Sequence, residues 1–556
     1  MNSTRMNIRS WTPVLADPRR SLDRALVLAF FIVLFLAGLI TCGDYGLPCD
    51  EPAEQVILRE NMKEYALQIG GMENEAVRYY DSLNIRRISE SIERDHGQCA
   101  YYMATPILQV SDGALRTTLW HGYTWLWFMA GVIAIYGFGR EMGFDRITAC
   151  AAALLLYLSP RLFAEGHYNN KDMVLLSLVL LSLWMGLRLL KKQTLFRGVL
   201  FSLAGAMAAN TKIVGILPWV LTALGAVIFL SARKAWTSRL LAVALGTAFS
   251  FLACYVLLTP ALWPNPLAFF VHALQNASGF SRWTGVVLFR GTVFDHPVNP
   301  LPRYYLPYMM LVTLPLYTLP LAVLGQGAAI LRVMRQRLSV LKDEKTIMLL
   351  TLTLSWFIPL GFAAVARPLV YNGWRHFYFV FAGLVLLAGY GLQMLIKTVC
   401  HKLSGSWARL AGAVLLCCCF AIPAIQIIMN HPFQYGYYNI LCRRTAATQM
   451  ELDYWDVSTV NAMKLLCEAQ RNESLPLQLG SRDEMSFFGV RHGYEVLPTN
   501  MRANLEIRED ENAPYLFYNT TYALIYGITP PQGYHELLTI HSFGNALCTI
   551  YERDGA

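Results

Sequence analysis

The sequence predicts a mainly α-helical polytopic membrane protein of about 11 transmembrane helices, followed by a small C-terminal α/β domain outside the bilayer. Three observations carry that expectation. Of 556 residues, 55% belong to the set AVILMFWYC and only 15% are charged, whereas soluble domains carry about a quarter charged residues. Long apolar runs recur from residue 25 to residue 429, and a backbone in lipid must satisfy its own hydrogen bonds, so each run reads as a helix of about 20 residues. From residue 430 onward the runs stop and the composition becomes that of a soluble domain.

The same numbers exclude disorder, collagen and coiled coil. A net charge of +9 in so apolar a chain reads as Lys and Arg gathered in loops on one side of a bilayer, not as a nucleic-acid footprint. Twelve Cys fall far short of a disulfide scaffold, and Cys417, Cys418 and Cys419 sit inside an apolar run as small hydrophobes.

In chain order the runs lie at approximately 25–42, 118–138, 147–163, 173–190, 197–210, 213–231, 240–258, 306–330, 346–365, 376–396 and 409–429. The first has a basic start but no small-x-small cleavage site, so it reads as an anchor. Positive residues alternate between the loops. Arg5, Arg9, Arg19, Arg20 and Arg24, then Arg140 and Arg146, Arg188 to Arg197, Arg233 to Arg239, Arg332 to Lys345, and Lys397 to Arg409 fall on one side. The opposite loops hold far fewer. Retained positive loops set orientation, which places 1–24 in the cytoplasm, 25–429 in the plasma membrane and 430–556 outside the cell.

Two outward regions stand out. Residues 43–117 are too long for a connector, with one helix expected from Pro52 to about Ile69 and another from Glu73 to about Arg94, the second lying on the membrane surface. In the tail, Tyr515–Tyr518, Tyr522–Tyr526 and Ala546–Tyr551 read as strands.

Chemistry concentrates at a few places. Asp50 and Glu51 form a carboxylate pair just beyond the first span and before Pro52. Such a pair suits either a helix cap or a general base taking a proton from an acceptor hydroxyl. Ser159 to Asp172 is dense in polar groups between two short apolar runs, where Lys171 and Asp172 either pair with neighbours or face a cavity. Lys212, between two apolar runs, either snorkels to the interface or contacts a phosphate. The loop 259–305 carries Trp263, Arg282, Trp283, Asp295, His296, Arg303, Tyr304 and Tyr305, which suit an interfacial aromatic belt. Arg375 beside His376 suits a phosphate, although Arg also anchors lipid head groups. No Walker loop, dinucleotide glycine pattern, kinase set or zinc spacing is present. No cofactor is expected, and no spacing indicates a divalent metal.

These pieces together resemble the GT-C class of membrane glycosyltransferases, in the branch of protein O-mannosyltransferases and the lipid A aminoarabinose transferase. The stretches that carry the resemblance are Asp50-Glu51, Ser159 to Asp172, Leu301 to Pro307, Tyr371 to His376, and His431 to Tyr435 continuing to Glu451 to Trp455. The resemblance implies a GT-C-like transmembrane domain and a sugar donor on a polyprenyl monophosphate. It implies transfer with inversion to a protein hydroxyl, a glycolipid or a cell-envelope polymer. It maps the first-loop acidic pair onto Asp50 and Glu51, with Asp50 as base, and the second acidic position onto Asp172. Lys171, Lys212, Arg303, Tyr304, Arg375 and His376 become candidates for binding substrate. The expected partners are the donor lipid and the bilayer, with no nucleic acid. Cys42 and Cys49, which bracket the acidic pair, either form a disulfide or remain free. The rival readings are a flippase for a lipid-linked sugar and a non-catalytic scaffold. Against the flippase, the sequence shows no paired halves with broken helices.

Overall fold

The computed structural model describes residues 18–279, 285–295, 298–402, 406–470 and 476–555. Arg5, Arg9, Arg282, Trp283 and His296 lie outside these described residues.

Every apolar run falls on helix. The first gives α1 (Pro18–Ile40) and the second α4 (Gly113–Met142), which ends where Gly143 turns left-handed at φ 90. Between them lie α2 (Glu51–Gly70) and α3 (Glu75–Ser82). The third run is α5 (Arg146–Tyr157) and α6 (Pro160–Tyr168). Then come α7 (Asp172–Lys191), α8 (Leu195–Thr211), α9 (Ile216–Ala232), α10 (Ser238–Leu258) and α11 (Pro266–Gly279). The eighth run is α12 (Tyr305–Thr313) and α13 (Thr318–Gln336), followed by α14 (Glu344–Ala366), α15 (Tyr378–Lys402) and α16 (Ser406–Met429).

Two of the runs are bent, by 73° between α5 and α6 and by 116° between α12 and α13. Proline explains both, since the residue before it is pushed out of the helical region. Ser159 precedes Pro160 at ψ 105, and Leu314 precedes Pro315 at ψ 153. Among the described residues seven helices are long and apolar enough to span a bilayer, or up to nine if each bent pair is one span. The chain is therefore a mainly helical, multi-pass membrane protein.

The helices differ in what their apolar surface meets. The spans on α7 and α15 have 78% and 83% of their residues buried, against 6% for α1 and 17% for α10. The first two are the interior of the bundle, and the last two present their apolar surface outward, as lipid-facing helices do.

The first long loop is only partly as expected. α2 matches its expected range, but the second helix stops at Ser82 and does not reach Arg94, because Leu83 leads into Asn84 at φ 54, a conformation Asn tolerates. Both α3 and the chain after it fold back onto α2 through ion pairs: Lys63 to Asp81 of α3 at 2.6 Å, and Arg86 to Glu60 at 2.8 Å and Arg87 to Glu64 at 2.7 Å beyond it. The charges of this segment are thus partly spent on α2.

The tail carries a mixed five-stranded sheet built from β3 (Leu477–Ser481), β4 (Leu505–Ile507), β5 (Tyr515–Asn519), β6 (Tyr534–Ser542) and β7 (Asn545–Arg553). A separate hairpin, β1 (Val286–Phe289) and β2 (Thr292–Asp295), lies in the loop before α12. The sheet order is β4-β3-β5-β7-β6, with β3 parallel to both neighbours and the rest antiparallel. Tyr522–Tyr526, expected as a strand, is helical: Asn519 accepts from the Thr521 N–H at 2.9 Å and starts a helix Thr520–Tyr526 that Gly527 ends at φ 67. The cap outweighs the strand preference of Tyr and Ile.

The start of the tail is built into the membrane part. Asn439 donates to the carbonyls of Leu311 and Leu314 at 2.7 and 2.9 Å. The Arg161 guanidinium lies 4.4 and 4.8 Å from the ring centres of Tyr435 and Tyr438. Glu451 accepts from the Leu288 N–H at 2.9 Å and from Asn372. These contacts carry Tyr454 and Trp455 to the N-terminal end of α2.

Candidate active site

Where the tail crosses the start of α2, a cavity of about 510 Å³ opens. Its walls come from the start of α2, the α6–α7 connection, the end of α8, the entry to α15, and Tyr454, Trp455 and Phe488 of the tail. Close approach of two backbones makes this possible: a Cβ on Gly46 would lie 2.3 Å from the Val457 carbonyl oxygen, so glycine is required there.

Asp50 occupies the N-cap position of α2, with Pro52 in the first turn, yet its side chain makes no capping hydrogen bond. Instead its carboxylate accepts from the Arg375 guanidinium at 2.6 Å. Capping therefore does not account for this acid. Burial by itself would raise the Asp50 carboxyl, but the charge and hydrogen bond of Arg375 prevail and hold it below the ordinary carboxylate range. Arg375 is caged by aromatic rings, 4.3 Å from the centre of Trp455, 4.7 Å from Tyr371 and 5.2 Å from Tyr454. Cation–π attraction and packing fix it where a surface Arg would be mobile.

Glu51 lines the same cavity, but both its oxygens are occupied, by Gln55 at 3.0 Å and by the His121 ring at 2.9 Å. It ties α2 to α4. Lys171 reaches Glu54 at 2.9 Å and the His96 ring at 2.6 Å. Asp172 pairs with Lys212, and Asn169 caps α7 by accepting from the Asp172 N–H at 2.8 Å. Lys212 does not snorkel outward; it points inward to that acid.

The structure thus brings together Asp50, Glu51, Lys171, Asp172, Lys212, Arg375 and His376 around one cavity. It does not bring in Arg303 or Tyr304. Both are exposed, Arg303 in a small separate recess and Tyr304 with its ring 6.0 Å from that of Phe289.

A second, largely apolar groove of about 340 Å³ runs beside the first, lined by residues such as Ile216, Leu217, Ile358, Phe362, Leu369 and Phe379. His96, Lys212 and His376 line both spaces.

The sequence reading missed Glu54 and His96, and it quoted Tyr454 and Trp455 without giving them a role. Glu54 had a signal: it stands four residues after Asp50 and so shares its helix face. His96 had none, since its place depends on the fold of the long loop. Cys42 and Cys49 are both free thiols. Among the described residues no group of three or more His, Cys, Asp or Glu is placed to hold a metal ion.

Fold and cavity together define a multi-pass membrane protein with an acid- and base-lined chamber beside an apolar groove. Residues 96–263 match the family model described as dolichyl-phosphate-mannose-protein mannosyltransferase, so the chain resembles the GT-C membrane glycosyltransferases of the protein O-mannosyltransferase branch. That segment holds Lys171, Asp172 and Lys212, and not Asp50 or Arg375. Among solved structures, ArnT from Cupriavidus metallidurans in the apo state matches with 12% identity, 96% of this chain and 98% of that one covered, and a TM-score of 0.46. The same protein bound to undecaprenyl phosphate matches with 14% identity, 95% and 98% covered, and a TM-score of 0.47. No curated protein matches the chain.

Proposed function

We propose that this protein is an inverting glycosyltransferase that moves a sugar from a polyprenyl-monophosphate carrier to an acceptor hydroxyl on the outer face of the plasma membrane. The observation that carries this reading is the pair of spaces sharing His96, Lys212 and His376. A polyprenyl-phosphate sugar has an isoprenoid that cannot leave the lipid and a head that cannot enter it. An apolar groove meeting a polar cavity at basic residues accommodates both halves, with the phosphate at the junction. The family matched at 96–263 is named for a donor of that class.

In this reading the acceptor oxygen attacks the anomeric carbon as its proton passes to the Asp50 carboxylate. The bond from that carbon to the phosphate oxygen breaks, and polyprenyl monophosphate leaves with the electron pair. Lys212, Lys171 and Arg375 are fixed cations around the departing phosphate and stabilise its charge, and His376 stands beside them as a hydrogen-bonding ring. Paired with Arg375, Asp50 is ionised but weakly basic. A donor phosphate competing for Arg375 raises its proton affinity at the moment a base is needed. Asp172 orients Lys212, and Glu51 holds the helix that carries Asp50.

The distribution of basic loops supports placing 1–24 in the cytoplasm and the tail, 430–556, outside, with its first part packed on the bundle. The acceptor is a protein hydroxyl, a glycolipid or a cell-envelope polymer. Purified protein given a labelled polyprenyl-phosphate sugar tests the reading. Transfer or release of the sugar is expected. Passage of the intact lipid across a vesicle membrane without cleavage would replace the transferase by a flippase, and neither activity would leave a scaffold.

A further inference from the structure

Arg375 meets Asp50 at the cavity, but the turn that carries it is held from behind. Glu451 Oε1 accepts from the Asn372 side-chain amide and from the Leu288 N–H of β1, the latter at 2.9 Å, and the Gly373 N–H faces the same carboxyl group. Glu451 and Asn372 are both buried, and neither lines the cavity. A buried carboxyl group needs such donors, and donors from two segments fix its orientation closely.

The bond from Asn372 to Glu451 joins the two segments that build the cage around Arg375. Tyr371 directly precedes Asn372, and Tyr454 and Trp455 closely follow Glu451. All three rings lie against the guanidinium. Further anchors of the turn come from α12: Tyr305 Oη donates to the Gly373 carbonyl at 2.6 Å, and Trp374 Nε1 donates to Thr313 Oγ1 at 2.8 Å. Those bonds tie the turn to the bundle, and the Glu451 bonds tie its base to the tail.

We infer that Glu451 is a positioning residue: acting through Asn372 and Gly373, it sets the angle at which Arg375 meets Asp50. This rests on the transferase reading above and adds to it a residue that stands outside the cavity. A guanidinium is a planar fork whose bonds to carboxylate and phosphate depend on orientation. A tilt of the turn therefore weakens the hold of Arg375 on Asp50 and on a departing phosphate alike. A misplacement of about 1 Å, caused far from the chemistry, can cost about 100-fold in rate.

Transfer from a labelled polyprenyl-phosphate sugar by the full-length protein in nanodiscs tests this. Glu451→Ala is expected to lower the rate about 10- to 100-fold. Glu451→Gln keeps an oxygen for Asn372 and Leu288, and Asn372→Ala leaves Glu451 its two backbone donors. Each of these is expected to lower the rate about three- to tenfold, the size of one hydrogen bond, and they carry the test if Glu451→Ala does not fold. Combined, they should lose little more than the worse of the two alone, since both act through one bond. A second readout comes from Asp50, which faces Arg375 and Lys171 as cations and Cys49 and Tyr454 as neutral groups. With Arg375 displaced, the proton affinity of Asp50 rises, so the acid limb of kcat/KM should move to higher pH in each variant. Full transfer by Glu451→Gln and Asn372→Ala, or losses that multiply in the double variant with the acid limb unmoved, would overturn the positioning role and leave the transferase reading standing. No transfer by the wild type would end the transferase reading and this role with it.

Discussion

The Arg375 guanidinium meets the Asp50 carboxylate at 2.6 Å although the two stand 325 residues apart in the chain. One arrives from the loop after the first helix, the other from the mouth of α15, and Trp455 of the tail closes over the pair. Three distant parts of the chain must therefore be in place before the acid has its lowered proton affinity.

The first consequence concerns turnover. General-base help is worth about 10²- to 10⁴-fold, so Asp50→Asn is expected to lower sugar transfer by that factor. The amide is isosteric and its oxygen still accepts from Arg375, so the melting temperature should move little. Near-normal transfer by this variant, measured with labelled donor, would remove Asp50 from the chemistry.

A second consequence is a pH signature. The Asp50 carboxyl is depressed in the folded protein, so the unfolded chain takes up its proton first on acidification. The stabilisation from the pair is complete above the ordinary aspartate value near 4, and it is lost as pH falls through the depressed folded value. The melting-temperature difference between the wild type and Asp50→Asn should be constant from about pH 8 to about pH 5 and shrink below about pH 4. Because the Asp50 side chain is 41% exposed, solvent screening keeps the effect small. A difference that grows on acidification would contradict the assignment.

The seating of the tail gives a third. A methyl group on Gly46 would lie 2.3 Å from the Val457 carbonyl oxygen, and backbone gives way less easily than the end of a flexible side chain. Gly46→Ala is expected to cost about 1–3 kcal/mol, as overpacking does, and to reduce transfer by displacing Tyr454 and Trp455 from Arg375. Full stability with full activity would show that the tail is free to shift without consequence.

Much of this was legible in the sequence, for reasons that particular residues make plain. Lipid forces helix on any long apolar run, so all the runs appeared as helix. Asp50, Lys171, Asp172, Lys212 and Arg375 stood out because charge beside apolar sequence is costly and invites explanation. What the sequence hid was pairing. Nothing local says that Lys171 meets Glu54 and not its neighbour Asp172, or that Lys212 turns inward, since both depend on how α2 crosses α7 and α8. Arg303 and Tyr304 looked like the same kind of residue as Arg375, and only the placement of the loop before α12 separates them. Tyr522–Tyr526 was misread because alternation of apolar residues outweighed the Asn519 cap that precedes them.

Lys212 offers the sharpest separation between binding and chemistry. It lines both the polar cavity and the apolar groove, and Asp172 pairs with it from the first turn of α7. A donor phosphate at the junction must compete with that carboxylate for the ammonium. Lys212→Gln removes a charge-assisted hydrogen bond worth about 1.5–3 kcal/mol, so affinity for bare polyprenyl monophosphate should fall roughly ten- to a hundredfold. Asp172→Asn has the opposite sign: with its competitor neutralised, Lys212 is available to the phosphate, and the bare lipid should bind a few-fold tighter. Transfer should nevertheless fall, because an ammonium no longer oriented by a carboxylate binds the departing phosphate without holding it in line. Isothermal titration with the bare lipid and turnover with the labelled donor, run on the same two variants, check both signs. Weaker lipid binding by Asp172→Asn would mean that this acid holds Lys212 in place for the phosphate and does not compete with it.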